Sequence, residues 1–585
     1  MMKIQSALCC ISAVWLGLLA VPSHAQPDPN FPHLRKQGTA TQFVVDGKPF
    51  VALTGEIEGD DATSLDGMKW MWPEFVKMNL NTILAVVYWE LLEPEEGKYD
   101  FTLVDGMIQE ARRNHLRICL VWFASFKNGM VSWAPLWVKK DYKRFPRARI
   151  RGGQSIEYFS VAEGYGDATR DADARAYAAL MRHIKEVDGR EHTVIFTHVE
   201  NEVGMSGDSR DRSPGAERAF AGPVPKPLLD YLQKHRDTLI PEFRQVWEKA
   251  GSKTSGTWEE VFGKGAATDE IFMVWSYAQY VNRVTAAGKA EYPLPAYTNG
   301  WVTRTSSIAA VAAKGVEAET KGYQHSGDPM WDLLDVWRAG APEIDFLAPD
   351  VYPEKDFAEI CMDYHQSWNP LYVGEAEGGP QGAAEVLWAV GHDAMGFSVY
   401  GVEYNLLRQD PQNELGRVYQ TIKQLMPVIA GHQGKKGETT GVLLGDSGQT
   451  AKARLGDYTL TAVINPNKTR PRGTTPAPPG VPLAGALFVL TAPDELYVIN
   501  SNEYEVAVTF TPNTPGPPNV GVGLVEEGSF VDGRWVAGRH LDHRVTTVDP
   551  SCWYCAPALL LPGGYKRRDM HSENGILRVK LYRYE

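Results

Sequence analysis

Short apolar runs alternate with helical patterns along the first three quarters of the chain. Between about residues 43 and 430, runs rich in β-branched and aromatic side chains are separated by stretches with the helical period of about 3.6 residues. The predicted strands are residues 50–56, 82–89, 117–123, 193–201, 294–301, 344–352, 371–377 and 396–403. The clearest predicted helices are residues 103–114, 172–187, 329–339 and 383–390.

This alternation predicts an α/β fold, a (β/α)8 TIM barrel. Eight strand units with intervening helices match barrel closure on a chain of this length. A doubly wound open sheet is the alternative, but no glycine-rich phosphate loop follows the first predicted strand. The long segment between the fourth and fifth strands is predicted to hold extra helices, around residues 227–250 and 268–287.

The pattern changes after about residue 430. Short strands separated by turn-rich stretches predict an all-β accessory domain, most simply a sandwich. The predicted strands are residues 457–464, 486–490, 496–499, 505–510 and 577–584, and the main predicted loops are residues 471–485 and 512–523. We therefore expect a catalytic barrel over residues 26–430 and an all-β domain over residues 431–585.

Residues 1–25 are predicted to be a secretory signal peptide. Lys3 precedes an apolar run, and Ser23-His24-Ala25 has the small-x-small form of a cleavage site. A periplasmic or secreted protein is expected, with no membrane contact in its mature form. An exported compartment permits disulfides, and Cys552 and Cys555 could form a tight loop bridge. The redox and zinc alternatives for this pair are weaker, because no second ligand pair lies nearby.

Charge and composition narrow the class of partner. The 585 residues include 59 Lys and Arg against 72 Asp and Glu, a formal net charge of −13. This acidic balance argues against nucleic acid or an anionic membrane as a partner. The aromatic content, with 17 Trp and 25 Tyr, suits flat sugar faces as well as core packing, so carbohydrate is a first hypothesis. The oligomeric state is left open.

Carboxylates and aromatics dominate the carboxyl ends of the predicted strands, where a barrel of this type places its active site. These ends carry Glu56, Trp89-Glu90, Glu200-Asn201-Glu202, Asn299-Gly300-Trp301, Asp350-Val351-Tyr352, Glu375 and Glu403. They hold no His/Asp metal cluster and no Ser or Cys nucleophile elbow, so no metal or organic cofactor is expected. His198 lies within the fourth strand and is interpreted as a structural or orienting histidine.

Glu202 and Glu375 form the most specific pair. They end the fourth and seventh predicted strands, whose ends can face each other across a barrel mouth. Two carboxyl groups that flank one bond are what glycoside hydrolysis needs, and a separation of about 5–5.5 Å gives retention of configuration. The plain alternative for a single glutamate of this kind is a hydrogen-bonding or salt-bridge role.

The fourth predicted strand carries a family resemblance. Its run Thr193-Val-Ile-Phe-Thr-His-Val-Glu-Asn-Glu-Val-Gly204 resembles the fourth-strand signature of glycoside hydrolase family 35, the β-galactosidases of the clan A barrels. The resemblance implies that Glu202 is the acid/base, that Asn201 contacts the sugar 2-hydroxyl, and that Glu200 binds or orients. It also implies that Glu375, after Pro370-Leu-Tyr-Val-Gly, is the nucleophile, with Glu377 as the rival.

Other strand ends extend the resemblance or depart from it. Trp89-Glu90 resembles the second-strand motif, and Tyr352 resembles the tyrosine that hydrogen-bonds the nucleophile. Strand three has Ser125 where the family has a glutamate, and Asn128 or Lys127 is expected to supply the contact. Glu56 replaces the more usual serine of strand one. Trp89, Trp301 and Tyr352 are candidate walls of the sugar site, with core packing as the alternative for the two tryptophans.

The resemblance implies a retaining exo-β-galactosidase that acts on plant polysaccharide side chains or oligosaccharides, with some relatives acting on xyloglucan. The region of residues 525–540 resembles a C-terminal domain of unassigned function in a bacterial branch of the family. Two alternatives are kept. One is another clan A glycosidase, such as a glucosaminidase, a glucosidase or an endo-acting enzyme. The other is a non-catalytic carbohydrate-binding barrel.

Overall fold

The structure is a computed structural model. It describes residues 28–129, 131–302, 325–352, 356–404, 413–445, 450–464, 484–501, 506–541, 544–545, 558–561 and 575–585. The predicted signal peptide, Cys552 and Cys555 lie outside the described residues. Cys119 and Cys361 are free, buried thiols.

A small antiparallel sheet precedes the barrel and was not predicted. Its strands are β1 (His33–Gln37), β2 (Ala40–Val45) and β3 (Lys48–Phe50). Phe43 of β2 packs edge-on against Phe196 of the barrel, with ring centroids 5.3 Å apart. This sheet therefore closes the end of the barrel opposite the carboxyl ends of its strands.

A parallel sheet closed into a barrel forms the centre of the molecule. Its strands are β4 (Ala52–Glu56), β5 (Thr82–Tyr88), β6 (Arg117–Lys127), β9 (Val194–Asn201), β10 (Ala296–Trp301), β11 (Phe346–Val351), β12 (Tyr372–Val373), β13 (Glu375–Ala376) and β14 (Gly396–Val399). A separate hairpin of β7 (Arg147–Arg149) and β8 (Ser155–Phe159) lies between β6 and β9. The barrel strands are buried along almost their whole length, as parallel strands covered by helices are. The predicted α/β barrel is confirmed.

The seventh barrel strand is split, which gives nine segments around an eight-stranded barrel. Segment β12 pairs with β14, while β13 pairs with β11, so the two segments close the ring together. Gly374 separates the segments. A Cβ at this position would lie 2.5 Å from Asp350 Oδ1, so only glycine leaves room for that carboxyl group.

Helices surround the barrel. They are α1 (Leu65–Met68), α2 (Met71–Lys77), α3 (Trp89–Leu92), α4 (Thr102–Arg113), α5 (Leu136–Lys140), α6 (Asp167–Asp188), α7 (Pro214–Ala221), α8 (Lys226–Lys234), α9 (Pro241–Lys249), α10 (Trp258–Phe262), α11 (Ala266–Glu291), α12 (Leu334–Gly340), α13 (Phe357–Tyr364), α14 (Gly379–Gly391), α15 (Val402–Tyr404) and α16 (Glu414–His432). Short 3-10 turns occur at Gly59–Thr63, Arg236–Thr238 and Trp331–Leu333. A search of the described residues finds no helix with the length and apolarity to cross a membrane.

Local chemistry explains the helix bounds. In α4, Val104, Met107, Ile108 and Ala111 form the buried stripe expected of an amphipathic helix. The single helix predicted around residues 227–250 is two helices, because Pro241 cannot continue a preceding helix but suits the first turn of a new one.

The accessory region is confirmed as all-β and consists of two sheets around their own hydrophobic core. Its strands are β15 (Thr439–Leu444), β16 (Thr450–Leu455), β17 (Tyr458–Ile464), β18 (Ala484–Ala492), β19 (Glu495–Asn500), β20 (Val506–Pro512), β21 (Asn519–Val531), β22 (Arg534–His540), β23 (Arg544–Val545), β24 (Ala558–Leu561) and β25 (Ile576–Tyr584). The predicted loop over residues 512–523 is partly wrong, since β21 already begins at Asn519.

The two parts pack closely through glycines. Helix α14 contacts β15 and β18, and a Cβ at Gly485 would lie 2.3 Å from the Ala384 carbonyl oxygen. A Cβ at Gly441 would lie 2.6 Å from Trp388 Cα. The predicted domain boundary at residue 430 falls near the end of α16.

Candidate active site

Three carboxyl groups meet at the carboxyl ends of the barrel strands. Glu202 follows β9, Asp350 lies near the end of β11, and Glu375 begins β13. One carboxylate oxygen from each lies within 4.8 Å of the other two, and all three side chains are buried. We call these residues the carboxyl triad. The structure therefore brings together the two predicted catalytic residues and adds a third that the sequence analysis did not single out.

Asn299, at the end of β10, connects the triad to its surroundings. Its Oδ1 accepts a hydrogen bond of 2.9 Å from the Glu202 backbone N–H, which fixes the orientation of the amide. Its Nδ2 consequently faces three acceptors: Asp350 Oδ2 at 2.7 Å, Asn201 Oδ1 at 3.0 Å and Glu375 Oε1 at 3.3 Å. One side chain thus ties the backbone of Glu202 to the side chain of Glu375.

His198 supports Asn299 from within β9. Its Nε2 lies 2.8 Å from Asn299 Oδ1, and because that oxygen is an acceptor, Nε2 carries the hydrogen. Burial lowers the pKa of His198 to about 3, although the hydrogen bond with Asn299 acts in the opposite direction. The ring is therefore neutral, which agrees with the structural or orienting role predicted for it.

The two catalytic candidates differ in their electrostatic surroundings. Burial raises the pKa of Glu202 well above its usual range and the charge of Glu375 adds to this, while the charge of Lys127 and a hydrogen bond with Asp350 act against it. Burial also raises the pKa of Glu375, but the hydrogen bond from Tyr352 and the charge of Lys127 oppose the shift. Glu202 is therefore more readily protonated than Glu375, and Glu375 is better suited to remain ionised.

Tyr352 lies beside Glu375, and Trp301 lies beside Tyr352. The Tyr352 hydroxyl donates a hydrogen bond to Glu375 Oε2. The half-buried Trp301 ring lies edge-on to Tyr352 with centroids 6.4 Å apart. That these two rings wall a sugar site stays a prediction.

The predicted pair of asparagines lies next to the triad. Asn201 Nδ2 donates to Asn128 Oδ1 at 2.9 Å, so Asn128 holds the amide of Asn201 in place. Asn128, Glu200 and Glu202 have φ values of 54°, 62° and 42°, in the left-handed region that non-glycine residues rarely adopt. Backbone strain of this kind concentrates at functional sites, where the surrounding fold holds it.

Glu200 points away from the triad, so of its two predicted roles, binding substrate or orienting other groups, its contacts fit the second. Its carboxylate accepts hydrogen bonds from the backbone N–H groups of Ser125 at 3.2 Å and Phe126 at 2.9 Å. Ser125 Oγ in turn donates to the buried Asp173 at 2.7 Å. Glu200 therefore orients the end of β6. Ser125 stands where the family has a glutamate, but it is buried and its hydroxyl is bonded to Asp173, so it does not replace that glutamate.

Trp89 and Glu90 make contacts with neighbouring side chains, and their place in the sugar site stays a prediction. Trp89 is fully buried, its Nε1 donates to Glu93 Oε2 at 2.8 Å, and its ring packs edge-on against Trp137. Glu90 forms an ion pair of 2.9 Å with Lys139. The contacts of Trp89 fit core packing, the alternative given for it.

Glu56 lies near the triad, as its place at the end of β4 predicts. It is buried, and its Oε2 has no hydrogen-bond partner among the described residues. Burial raises the pKa of Glu56 well above its usual range, followed by the charge of Glu375. Glu403, after β14, accepts a hydrogen bond from the Glu58 backbone, and its pKa is raised to about 7, chiefly by burial.

Asn299, Asp350 and Lys127 are the site residues that sequence reasoning did not assign a definite role. Asn299 and Asp350 lie at the carboxyl ends of predicted strands. In each case the aromatic residue two positions further on, Trp301 or Tyr352, was assigned to the site instead. Lys127 ends β6, and its charge opposes the raised pKa of both Glu202 and Glu375. Glu377, the rival nucleophile, lies outside the triad and beside Glu385, whose pKa its charge helps to raise.

The triad is also the group of described residues whose ligating oxygens lie close enough for a divalent cation. Tyr352 and Asn299 already donate hydrogen bonds to oxygens of Glu375 and Asp350, which suits organic acid–base chemistry. The arrangement can donate a proton from one carboxyl group while another attacks carbon.

Comparison with known proteins gives two family matches. A glycoside hydrolase family 42 model, described as β-galactosidase, matches residues 72–269, and a domain of unknown function (DUF5597) matches residues 415–542. The first region is similar to a β-galactosidase domain of the family 42 type. It includes β5, β6 and β9 with Glu202. The family 35 assignment stays a prediction, since the matching model carries the family 42 name.

Curated relatives and solved structures carry the same name. A β-galactosidase of Xanthomonas manihotis is 27% identical over 206 residues, covering 32% of this chain and 29% of that protein. The β-galactosidase GalA of Bacillus licheniformis is 23% identical over 185 residues, covering 30% and 23%. The chain thus spans less than a third of each relative. Crystal structures of β-galactosidases from Bacillus circulans sp. alkalophilus and Rahnella sp. R3 are each 15% identical, with TM-scores of 0.42 and 0.43, covering 64% and 68% of this chain and 56% and 58% of theirs.

Proposed function

We propose that this protein is a retaining glycoside hydrolase that releases β-linked galactose. The observation that carries the proposal is the placement of Glu202 and Glu375. They end barrel strands four and seven, and their oxygens lie within 4.8 Å of each other, close to the separation of about 5–5.5 Å that double displacement uses. The names of the curated relatives support galactose as the sugar.

In the first step, Glu202 donates its proton to the glycosidic oxygen while Glu375 bonds to the anomeric carbon. The bond between that carbon and the leaving oxygen breaks, which gives a glycosyl-enzyme ester. Conversion of Glu375 to an ester removes its charge, so the pKa of Glu202 falls and Glu202 can act as base. Glu202 then takes a proton from a water molecule as that water attacks the anomeric carbon. The ester bond between this carbon and Glu375 breaks, and both carboxyl groups are restored.

Asn201 and Tyr352 assist this cycle in the proposal. The second N–H of Asn201 Nδ2 remains for the sugar 2-hydroxyl, whose hydrogen bond strengthens in the transition state. Tyr352 holds Glu375 by a hydrogen bond to the oxygen that does not attack. All charge handling comes from side chains of the protein.

The finer parts of the proposal concern the substrate and the location. We assign an exo-acting enzyme of the family 35 type that removes galactose from plant polysaccharide side chains, xyloglucan included, or from their oligosaccharides. The apolar run and small-x-small site within residues 1–25 support export to the periplasm or the medium.

A panel of 4-nitrophenyl β-glycosides tests the activity. We expect release of 4-nitrophenol from the β-galactoside and little from the β-glucoside or β-glucosaminide. Proton NMR of the first product should show β-galactose, and initial α-galactose contradicts the retaining mechanism. Turnover of another sugar favours the other clan A activities. Binding without turnover of any sugar favours a carbohydrate-binding barrel.

A further inference from the structure

Asp350 is the member of the carboxyl triad that the double-displacement cycle does not use. It is fully buried in β11, where it pairs in register with Glu375 of β13. Neither the acid/base step nor the nucleophilic step requires a third carboxyl group at this distance. Its position therefore calls for a separate explanation.

The two oxygens of Asp350 have different surroundings. Oδ2 accepts a hydrogen bond of 2.7 Å from Asn299 Nδ2. Oδ1 accepts no hydrogen bond from an amide, hydroxyl or backbone N–H of the described residues, although the side chain is fully buried. A side-chain hydrogen bond between Asp350 and Glu202 instead acts to lower the pKa of Glu202. Strand seven makes room for Oδ1 at Gly374, where a Cβ would lie 2.5 Å away. The fold thus accommodates a buried oxygen that receives no hydrogen bond.

The groups that face Asp350 make its ionisation unfavourable. Glu375, Glu202, Glu56 and Asp328 all contribute negative charge, and desolvation is the largest cause of the raised pKa of Asp350. Three carboxylates within 4.8 Å of one another in a buried site cannot all be ionised at once. Since Glu375 must be ionised to attack, the proton on Asp350 is retained more easily than lost.

We propose that Asp350 is a positioning residue that stays protonated through the reaction, with its Oδ1–H donating a hydrogen bond to the carboxylate members of the triad. This inference rests on the proposed function. Before attack, the acceptor is the ionised Glu375. After Glu202 has given its proton to the leaving oxygen, the acceptor is the Glu202 carboxylate. Asp350 loses no proton in either step, so the atom and charge balance of the cycle is unchanged.

Asp350 also orients Asn299 in this arrangement. Asn299 Nδ2 has two hydrogens for three acceptors, and the 2.7 Å bond to Asp350 is the shortest of the three. This bond holds the amide so that its Oδ1 receives the Glu202 backbone N–H. The separation between acid/base and nucleophile thus depends on a residue that exchanges no proton and forms no covalent bond in the cycle.

Substitutions at Asp350 test the proposal in the full-length protein. Asp350→Asn keeps the shape and the hydrogen-bond donor, so we expect kcat for 4-nitrophenyl β-galactoside to fall by less than about tenfold. Asp350→Ala removes the donor and leaves Asn299 without its partner. We expect its kcat to fall by more than about 100-fold, the usual effect of losing one buried donor at a reacting centre, with KM little changed. Asp230→Asn, on the exposed face of α8, is the matched control for the first substitution.

Two kinetic results overturn the proposal. If Asp350→Asn loses as much kcat as Asp350→Ala, the ionised carboxylate is what matters, for example as a partner for a cationic sugar. If both variants keep kcat within threefold of the wild type, Asp350 positions nothing.

Infrared spectroscopy tests the protonation state without activity. In the Glu202→Gln background at pH 7, we compare the protein with and without Asp350→Asn. The difference spectrum should contain the C=O stretch of a protonated carboxylic acid, and a carboxylate band in its place overturns the proposal. This readout also separates two failures: a protein that hydrolyses no β-glycoside contradicts the proposed function, whereas the spectrum still reports on Asp350. The infrared difference spectrum uses Asp350→Asn, so it remains measurable even if the Asp350→Ala variant fails to fold.

Discussion

Two clusters of ionisable side chains have opposite electrostatic character: the carboxyl triad, and a cluster in which aspartates pair with arginines. In the carboxyl triad, burial and the charge of Glu375 raise the pKa values of Glu202 and Asp350 well above the usual range. The second cluster consists of Asp208, Arg210, Arg212 and Asp269, and we call it the arginine–aspartate cluster. Burial pushes the pKa of Asp208 up, but hydrogen bonds and charge from Arg212 outweigh it, so the pKa is lowered.

The difference lies in the partners. Arg212 Nη2 lies 3.0 Å from Asp208 and 2.8 Å from Asp269, and Arg210 Nε lies 3.0 Å from Asp269. The triad has instead amide and phenol donors, with the charge of Lys127 acting on Glu202 and Glu375. The triad side chains are almost fully buried, whereas Arg212 and Asp269 keep side-chain exposures of 17% and 13%. Arginine therefore favours the ionised form of Asp208, whereas burial without such a partner raises the pKa values of the triad.

The largest expected effect is that of Glu375→Gln. Loss of the nucleophile should lower kcat for all β-galactosides by at least about 10⁴-fold. The midpoint of thermal unfolding should rise, because a buried charge that repels its neighbours has been removed. Steady-state assay and calorimetry measure the two effects. Glu377→Gln is the matched control, and an inactive Glu377→Gln with an active Glu375→Gln shows that the nucleophile is misassigned.

Glu202→Gln should have the next largest effect, and it should depend on the leaving group. An aryl galactoside with an acidic phenol needs little protonation, so the glycosyl-enzyme still forms and a burst of phenol appears. Hydrolysis of the glycosyl-enzyme then lacks a base, so kcat falls by about 10²–10⁴-fold. Stopped-flow absorbance measures the burst. Equal losses for good and poor leaving groups contradict the acid/base role.

Arg212→Met tests the other side of the comparison. It leaves Asp208 buried without its ion pair, so the free energy of unfolding should fall by about 3 kcal/mol. Urea unfolding followed by fluorescence measures the change. Arg236→Met, at an exposed pair with Glu248, is the control and should cost less than about 1 kcal/mol. Similar losses in both variants mean that the arginine–aspartate cluster contributes no more than a surface pair.

The smallest expected effect is on the pH dependence of stability. Because the triad pKa values are raised, the folded state binds more protons than the unfolded one above the usual carboxyl range, so stability falls as pH rises through that window. Asp208 acts in the opposite sense: its stabilisation is present above its unfolded pKa and is lost as pH falls through its lowered folded value. Between pH 5 and 8, the unfolding midpoint of Glu375→Gln should therefore decline less steeply than that of the wild type. An unchanged slope contradicts the raised pKa values.

Much of the fold could be predicted because it depends on local pattern. Buried parallel strands are continuous apolar runs, so the second barrel strand, β5 at Thr82–Tyr88, was predicted to within one residue. Other features were not accessible. The three-stranded sheet before the barrel is short and partly exposed, and the break at Gly374 depends on a carboxyl group from a neighbouring strand.

The site shows the same division. Glu202 and Glu375 could be predicted, because parallel strands in a barrel present their carboxyl ends at one face and because the Asn-Glu pair marks strand four. A position at a strand end does not say which way a side chain points in the turn that follows, so the sequence did not indicate that Trp89 packs against Trp137 or that Glu90 pairs with Lys139. For the same reason it left open whether Glu200 binds or orients, and the bonds of its carboxylate to the backbone of β6 are orienting contacts.

By itself, the sequence determined the alternation of strands and helices, the change to an all-β region, and the two carboxylates at strands four and seven. Those properties follow from periodicity and from residue type, which are local. Only the tertiary structure decided which carboxyl groups have a raised pKa because they are buried close together, and which have a lowered pKa because an arginine stabilises the ionised form. That depends on distances between residues far apart in the chain, on the direction of side chains such as Asn299, and on the exclusion of water, none of which a linear pattern contains.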